Sequence, residues 1–314
     1  MPLNIHHELV IPREFTLQRL DQAVASLLPQ YSRARLQLWI KSGGLTVDGK
    51  RARSKDRVDG GERIVVAVEQ ENTTDHAEDI PLDIVFEDDQ ILVLNKPPGL
   101  VVHPGAGNPS GTLLNALLNH DGELTNVPRA GIVHRLDKET SGLMVVAKNL
   151  AAQNFLVKEI QARRVTRIYV ALVYGVMTPV RGVVEKSIGR HPVHRKKMAI
   201  RKDGKDAKTH YRVLKQFSEH ALVECQLETG RTHQIRVHLQ SLGFPVIGDP
   251  TYSGHYRRPR SGDQWLSEAL KDFDRQALHA KRLGLAHPLS QKSLSWSIPP
   301  PADFLELQEL LGEP

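Results

Sequence analysis

The sequence predicts an α+β protein with a small N-terminal α+β domain and a larger domain built on a mixed, largely antiparallel sheet. Its 314 residues are long enough for two domains. An acidic, polar segment from Glu71 to Pro81 lacks apolar periodicity and separates the two parts. In the longer part, several strand-like runs follow one another with no helix between them, which favours antiparallel pairing over a doubly wound sheet.

The composition excludes several classes of protein. The chain has 42 Lys and Arg residues against 36 Asp and Glu residues, and its pI is about 9.4. Cys225 is the single cysteine of the sequence, so it forms neither an intramolecular disulfide nor a cysteine pair for metal or redox chemistry. No apolar run approaches the ~18 residues that span a bilayer. We therefore expect a cytoplasmic protein without a membrane segment.

The positive charge is concentrated in two stretches. Ten basic and four acidic residues lie between Arg13 and Arg57, and eleven basic and three acidic residues lie between Arg181 and Arg212. Basic clusters on a nearly neutral chain are typical of proteins that bind a polyanion such as nucleic acid. Two solvated surfaces are the alternative that charge alone leaves open.

The first predicted helix starts after Thr16. The Thr16 hydroxyl can accept a hydrogen bond from the first helical turn, and Pro29 ends the helix. Apolar residues at helical spacing form its buried face: Leu20, Val24, Leu27 and Leu28.

A second helix follows, and Ser32 is its predicted N-cap. Three apolar residues form its inward face: Leu36, Trp39 and Ile40. Three basic residues point outward: Arg33, Arg35 and Lys41. The Gly43-Gly44 pair ends the helix, because glycine readily adopts the left-handed conformation of helix C-termini.

A β-hairpin completes the front domain. Leu45–Val47 runs into Asp48-Gly49, a sequence typical of a type I′ turn, and Glu62 to Val68 forms a further strand. This unit, with its core at about residues 13–70, resembles the S4-type RNA-binding domain; a generic small α+β domain is the alternative. The resemblance implies that the two helices and the hairpin present basic side chains to RNA phosphates: Arg33, Arg35, Lys41, Arg51 and Arg53.

The predicted boundaries are residues 1–75 for the front domain, 76–81 for a linker and 82–314 for the larger domain. Seven strands are predicted in the larger domain: Leu82–Phe86, Ile91–Leu94, Ile132–Val133, Leu143–Ala147, Ile168–Val173, Lys208–Leu214 and Ala221–Leu227. Three amphipathic helices are predicted: Thr112–Asn119, Ala151–Arg163 and Arg231–Ser241.

Two patterns in the larger domain resemble a cofactor-binding loop and a metal site, but neither has the residues or the spacing that such a site requires. The glycines from Gly105 to Gly111 precede a helix, but the dinucleotide pattern requires glycine at Ser110, and the Lys-Ser/Thr pair of a P-loop is missing. A plain turn is the better interpretation. His233 and His238 are five residues apart, about 140° around a helix, so they do not face one ion. We expect no metal and no cofactor.

The segment from His134 to Ser141 is the strongest candidate for chemistry. It places Arg135, Asp137 and two further charged residues in a loop between two apolar, strand-like runs. Loops fixed between rigid strands often carry catalytic groups, and an adjacent arginine favours an ionised carboxylate. An ordinary charged turn is the alternative.

Five segments, in order along the chain, resemble the RluA family of RNA pseudouridine synthases. They are LNKPPGLVVHPG at 94–105, GIVHRLDKETSGLMVVAK at 131–148, RIYVALVYG at 167–175, LETGRTHQIRVHLQSLGFPVIGDPTYSG at 227–254 and QALHAKRLGLAHP at 276–288. With the front domain, the similarity covers nearly the whole chain. It implies the catalytic fold of these synthases for the larger domain and a cofactor-free isomerisation of uridine in RNA.

The resemblance also implies roles for single residues. Asp137 matches the catalytic aspartate, which attacks C1′ of the ribose or removes the C2′ proton. Arg236, the arginine of HQIR, matches the partner of that aspartate. Tyr169 matches the tyrosine that stacks on the uracil, and Leu278 matches a residue packed beneath it. Arg135 matches the arginine that fills the RNA stack once the uridine has flipped out.

Further RNA contacts are expected in the basic stretch from Arg190 to Lys208: Arg195, Lys196 and Lys197. The similarity is greatest to members that modify large-subunit ribosomal RNA in the helix sixty-nine stem-loop, so the expected partner is that rRNA or a pre-ribosomal particle. We expect a monomer. The alternatives are a synthase for another structured RNA, a non-catalytic ribosome-assembly protein, and an rRNA methyltransferase, which needs a methyl-donor pocket.

Overall fold

The structure is a computed structural model that describes residues 4–29, 31, 33–69, 76–105, 107–194, 196–254 and 264–312. The chain divides into two compact units, residues 1–75 and residues 76–314. Each unit encloses its own cluster of buried apolar side chains. Within the described residues, every helix is too short or too polar to cross a membrane.

The first unit packs two helices on a small antiparallel sheet. Its elements in chain order are β1 (Asn4–Val10), α1 (Leu20–Leu27), α2 (Arg33–Ser42), β2 (Leu45–Val47), β3 (Lys50–Arg51) and β4 (Arg63–Glu69). The strand order is β1-β4-β2-β3. The inward residues predicted for α2 are buried with Leu20 and Val24 of α1, so the apolar periodicity identified this core correctly. The edge strand β1 was not predicted.

Two turns of the first unit have the conformations that their sequences predict. Asp48 and Gly49 both have positive φ, 48° and 73°, as a type I′ turn requires, and the predicted hairpin is confirmed. Gly43 has a φ of 86° and ends α2 as predicted. The predicted N-cap Ser32 lies outside the described residues.

The predicted start of α1 at Thr16 is wrong. The helix begins at Leu20, and Arg19 occupies its N-cap. Thr16 instead ends a single 3-10 turn, and its hydroxyl is bonded to the carbonyls of Arg13 and Asp59. The hydroxyl is therefore engaged with the loop before the helix and does not cap the helix itself.

The second unit is built on one large sheet. Its strands are β5 (Ile84–Glu87), β6 (Ile91–Lys96), β7 (Ser141–Ala147), β8 (Thr166–Tyr174), β9 (Arg181–Glu185), β10 (Ile188–Arg190), β11 (Met198–Ile200), β12 (Lys208–Gln216), β13 (His220–Leu227), β14 (Leu278–Ala286) and β15 (Ser293–Ser297). Its helices are α3 (Leu113–His120), α4 (Leu150–Gln161), α5 (Gln234–Ser241), α6 (Gln264–Asp272) and α7 (Ala302–Leu310).

The sheet is mixed and largely antiparallel, which confirms the predicted fold class. In the described residues its order is β5-β6-β7-β14-β8-β13-β12-β9, and β15 pairs with β14. The β7–β14 pair is parallel, and the other pairs of this sheet are antiparallel. β10 and β11 form a separate hairpin.

The strand predicted at Ile132–Val133 is wrong. Ile132 makes one isolated bridge to Val146. β6 pairs with one edge of β7 along its length, and β14 pairs with β7 only at Ser141 and Gly142. A 3-10 turn at Pro128–Gly131 also bends the chain just before Ile132.

The parallel β7–β14 pair brings two distant segments together. β7 begins directly after the loop at 134–140, and β14 begins at Leu278. Gly142 has a φ of 116°, and a Cβ there would lie 2.4 Å from the carbonyl oxygen of Ala280, so the close approach of the two backbones requires glycine.

The segment expected to be a linker, residues 76–81, contacts the start of α3. The Glu78 carboxylate accepts hydrogen bonds from the Gly111 amide, and the Asn115 side chain donates to the carbonyl of His76. These contacts attach the segment to the second unit.

Candidate active site

A cavity of about 480 Å³ opens in the second unit, beside the loop at 134–140. Residues from four separate parts of the chain line it: Arg135, Asp137, Tyr169, Arg236 and Leu278. They come from the loop before β7, from β8, from α5 and from β14. The fold thus gathers the residues that the sequence assigned to one site.

The loop that carries Asp137 is fixed from several sides. The Thr140 amide donates to the Asp137 carbonyl at 3.1 Å, and the Gln276 amide donates to the Thr140 hydroxyl at 3.0 Å. The Lys96 ammonium donates to the carbonyl of Lys138 at 2.8 Å and to two carbonyls of its own turn. Burial disfavours the charged ammonium and lowers the pKa of Lys96 to about 7. The three carbonyl contacts compensate part of the free energy that this burial costs.

Asp137, Arg236 and Asp249 form a continuous ionic chain. Arg236 Nη1 donates to Asp137 Oδ2 at 2.9 Å. Its Nε and Nη2 donate to the two oxygens of Asp249 at 2.7 and 2.8 Å, a bidentate fork. Asp137 is 18% exposed and faces the cavity, whereas Asp249 is completely buried. One arginine therefore holds one accessible and one inaccessible carboxylate.

The ionic chain keeps Arg236 charged in spite of its burial. Burial opposes the charge of Arg236, but its hydrogen bonds to Asp249 and the charges of both carboxylates raise its pKa above the usual value. Asp249 is fixed in turn by the backbone amides of Thr251 and Tyr252. The ring of Tyr252 also lies under the guanidinium at 5.0 Å.

The first turn of α5 places Arg236 against Asp137. The predicted helix began at Arg231, whereas α5 begins at Gln234. The Gln234 side chain accepts a hydrogen bond from the Arg231 amide and donates to the Lys208 carbonyl, so it anchors the turn.

His233 lies near the aspartate, a proximity that the sequence did not predict. Its Nε2 is 3.9 Å from Asp137 Oδ1, and its Nδ1 is hydrogen-bonded to the Tyr252 hydroxyl at 2.8 Å. Burial lowers the pKa of His233, which favours the neutral ring. His238 instead contacts Thr209 and the carbonyl of Lys186. The two histidines have different neighbours, and the described residues contain no cluster of metal-ligating side chains.

Tyr169 and Leu278 contribute apolar surface to the cavity, together with residues such as Leu136 and Ile235. Both side chains are buried, and β8 and β14 are adjacent strands with Leu278 opposite Ala171. Burial raises the pKa of Tyr169 to about 12, so its hydroxyl is protonated at neutral pH. A flat, neutral, partly aromatic surface of this kind suits a nucleobase.

The glycine-rich segment is a turn, as the sequence favoured. The amides of Gly105 and Asn108 donate to each other's carbonyls, and the Gly111 amide donates to Glu78. Donors that a phosphate loop would present to a ligand are therefore used within the protein.

Comparison with known proteins assigns the chain to a family. Residues 90–241 match the family model described as RNA pseudouridylate synthase, and residues 18–64 match the S4 domain. A protein of Pseudomonas aeruginosa named "Ribosomal large subunit pseudouridine synthase D" is 54% identical over 96% of this chain and 95% of its own length. The chain belongs to the RNA pseudouridylate synthase family. It is an RNA pseudouridine synthase, an intramolecular isomerase.

Other relatives agree with this assignment. The protein of the same name from Xanthomonas campestris is 50% identical over 98% of this chain and 92% of its own length. Among solved structures, "Human RNA Pseudouridylate Synthase Domain Containing 4" matches with a TM-score of 0.57 and 28% identity, covering 73% of this chain and 92% of that chain. The front unit of this synthase is an S4 domain, as its sequence indicated.

Apart from Arg135, the predicted RNA-binding residues that the structure describes lie outside the cavity lining. Lys196 and Lys197 follow β10 in the second unit, and Arg195 lies outside the described residues. In the S4 unit, Arg33 donates to the buried carboxylate of Asp21, and the Arg35 guanidinium lies over the Trp39 ring.

The remaining basic residues named for the S4 unit are exposed: Lys41, Arg51 and Arg53. They therefore remain accessible to an RNA backbone.

Sequence reasoning assigned no role to several residues that shape the site: Lys96, Arg167, His233, Asp249 and Tyr252. All five lie in the segments that resemble the family. Asp249 is fully buried, which a carboxylate rarely is without a partner, but this burial is visible only in the fold.

Proposed function

We propose that this synthase isomerises uridines in large-subunit ribosomal RNA, in the helix sixty-nine stem-loop. The similarity over nearly the full length to relatives named for the ribosomal large subunit supports the substrate class. The resemblance noted in the sequence supports the stem-loop. The site of action is then the cytoplasm, on free rRNA or on a pre-ribosomal particle.

The observation that carries the mechanism is the accessible Asp137 carboxylate, fixed by Arg236 at the wall of the cavity. Pseudouridine formation breaks the bond between N1 of uracil and C1′, and the electron pair leaves with the base. The base rotates, C5 bonds to C1′, C5 loses its proton, and N1 ends protonated. In this scheme Asp137 either bonds to C1′ or removes the C2′ proton, and both routes require the ionised carboxylate.

The other residues position the uridine. Tyr169 stacks on the uracil, and Leu278 supports it from the adjacent strand. Arg135, exposed at the mouth of the cavity, takes the place that the flipped uridine leaves in the RNA stack, where a planar guanidinium can stack and donate to phosphates. The chemistry requires no cofactor, because the product has the composition of the substrate.

The test uses a stem-loop RNA of large-subunit sequence labelled with tritium at C5 of uridine, without a methyl donor. We expect tritium release and a product of unchanged mass. We expect Asp137→Asn to bind this RNA normally and release no tritium, because an amide is a poor nucleophile and a poor base. Asp203→Asn, at an exposed carboxylate paired with Arg201, is the matched control and should retain activity.

Two results would contradict the proposal. Appreciable product from an Asp137→Asn preparation free of deamidation would remove Asp137 from the mechanism. The second result is wild-type activity on another structured RNA together with no activity on large-subunit rRNA from a strain lacking the gene. That result would identify the other RNA as the substrate.

A further inference from the structure

Arg167 is a buried cation for which the proposed mechanism has no role so far. It lies on β8 two residues before Tyr169, on the same face of the strand, and it contributes to the lining of the cavity. Its exposure is 5%. Its Nη2 donates to the Glu228 carbonyl at a long 3.3 Å, and its Nε has no hydrogen-bond partner among the described residues.

The charge of Arg167 is not compensated. Arg236 contacts two carboxylates, whereas no described carboxylate lies within ion-pair distance of Arg167. Burial lowers the pKa of Arg167 from its usual value, but an arginine remains protonated at neutral pH. A buried, unpaired charge destabilises a folded protein, because it loses hydration without gaining a partner.

The fold nevertheless makes room for this guanidinium. A Cβ on Gly230 would lie 2.8 Å from Arg167 Nη1, so a larger residue at this wall of the cavity would require the guanidinium to shift. A strand position with a purely structural task would be better filled by an apolar side chain. The arrangement fits an arginine whose partner is a ligand group.

We propose that Arg167 donates to a carbonyl oxygen of the flipped uracil and stabilises the negative charge that this base acquires when the N1–C1′ bond breaks. The inference rests on the proposed mechanism. The electron pair of that bond spreads over N1 and the two carbonyl oxygens of the leaving base. The charge lasts until C5 bonds to C1′, because the electron pair of the anion forms that new bond. Loss of the C5 proton and protonation of N1 then complete the isomerisation. A fixed donor in a site shielded from water is most effective for such a transient charge.

The burial of Arg167 favours the uracil base, and not a phosphate, as its binding partner. Tyr169, its neighbour on the strand face, is the residue proposed to stack on the uracil. Other arginines of the cavity lining, Arg129, Arg135 and Arg163, are exposed and accessible to the RNA backbone. Arg167 therefore lies where the base, and not the sugar-phosphate chain, is expected.

The experiment compares Arg167→Met and Arg167→Lys with wild type on one RNA carrying either uridine or 5-fluorouridine at the target. Fluorine withdraws electrons and stabilises the uracil anion, so less stabilisation by the protein is needed. With enzyme in excess, we expect Arg167→Met to slow consumption of uridine by about a hundredfold or more. Consumption of 5-fluorouridine should slow by a clearly smaller factor, and Arg167→Lys should lie between.

A stability measurement separates this role from a structural one. Because Arg167 is buried without a counter-charge, we expect the Tm of Arg167→Met to equal or exceed that of wild type. Arg282→Met is the matched control: Arg282 is an exposed strand arginine on β14 whose Nε donates to the Ser295 hydroxyl, and its loss should leave both rates unchanged.

Each remaining outcome has a definite meaning. A lower Tm for Arg167→Met, or failure of this variant to fold, would overturn the proposal in favour of a structural role. Equal slowing on both substrates would also overturn it. Weaker RNA binding with a smaller salt dependence and an unchanged rate at saturation would identify a phosphate contact. A wild-type protein that consumes neither substrate would contradict the proposed function and with it the role of Arg167, whereas the outcomes above overturn the role of Arg167 alone.

Discussion

Arg236 is shared by two carboxylates, and this sharing determines which of its donors reaches Asp137. Asp249 engages Nε and Nη2, so Nη1 is left for the accessible aspartate. In the proposed mechanism, the negative charge of Asp137 disappears when this residue bonds to C1′ or takes up a proton. Arg236 then still has a buried counter-charge, which limits the electrostatic cost of the step.

The first prediction concerns Asp249. We expect Asp249→Asn to lower the single-turnover rate by about tenfold to a hundredfold, the equivalent of one or two lost charge-assisted hydrogen bonds, with RNA affinity unchanged. Glu159→Gln is the control, because Glu159 forms a similar fork with Arg164 and is not part of the cavity lining. An Asp249→Asn enzyme with the wild-type rate would show that Arg236 needs no second carboxylate.

The second prediction concerns Arg135. Its loss should raise the cost of holding the uridine out of the RNA stack, a cost that is smallest when the base is already unstacked. We expect Arg135→Ala to slow single turnover more on a stem-loop than on an unpaired analogue. Arg236→Ala should disable Asp137 equally on both. Equal fractional losses for Arg135→Ala on the two RNAs would leave this arginine as one more phosphate contact.

The residues of the site could be found from sequence only in part. Asp137 and Arg236 are 99 residues apart, and no periodicity or spacing in the sequence relates them. The resemblance to a family predicted that they would pair. The contacts of Asp249 and Arg167 depend on which buried groups face each other in the folded protein. Burial and pairing of that kind exist only after the strands have been assembled.

At the scale of single elements, α1 and α2 of the S4 domain are joined by one buried carboxylate. Asp21 of α1 accepts hydrogen bonds from Arg19, Arg33 and Gln37, of which the last two belong to α2. Burial alone would raise the pKa of Asp21, but these hydrogen bonds prevail and lower it to about 2. The basic helix surface is thus ordered by an acidic residue beneath it.

The third prediction is that Asp21→Asn destabilises the S4 domain by about 1–2 kcal/mol, a modest value because both arginines are partly exposed. Amide hydrogen exchange of α1 and α2 measures this. Asp48→Asn is the control, because asparagine tolerates the left-handed conformation of the Asp48 turn.

The effect of Asp21 should depend on pH. Its pKa in the folded state lies below the ordinary value of 3.8, so its contribution is fully present above about pH 4 and is lost as the pH falls towards 2. The stability difference between wild type and Asp21→Asn should therefore shrink over that range. A difference that stays constant down to pH 2 would exclude the ionised carboxylate as its cause.

Elements with strong local patterns were predictable, and those defined by pairing were not. The strands β6, β7 and β8 consist mainly of continuous apolar runs. β14 carries His279, Lys281 and Arg282, and it is a strand because it pairs with β7, β8 and β15. α7 did have a local signal that was overlooked: Pro301 at its N-cap before a sequence of good helix formers.

At the scale of the whole molecule, the synthase divides its tasks between two units with separate cores. The cavity and its ionic chain belong to residues 76–314, and the basic residues between Arg13 and Arg57 belong to residues 1–75. The contacts of Glu78 and His76 with α3 remain intact when the chain is cut after residue 75. The catalytic unit should therefore fold on its own.

The last prediction follows from this division. We expect residues 76–314 to isomerise a short stem-loop at saturating enzyme with nearly the full-length rate, since every group of the cavity is retained. Affinity for a large rRNA fragment should fall, and its salt dependence should flatten by about one unit of slope for each lost phosphate contact.

A full-length Lys41→Gln, Arg51→Gln, Arg53→Gln variant keeps the S4 fold and should reproduce part of the same loss. If truncation changes neither affinity nor slope, the S4 domain does not contact this RNA; if the truncated protein folds but is inactive on the short stem-loop, the front unit contributes to catalysis itself.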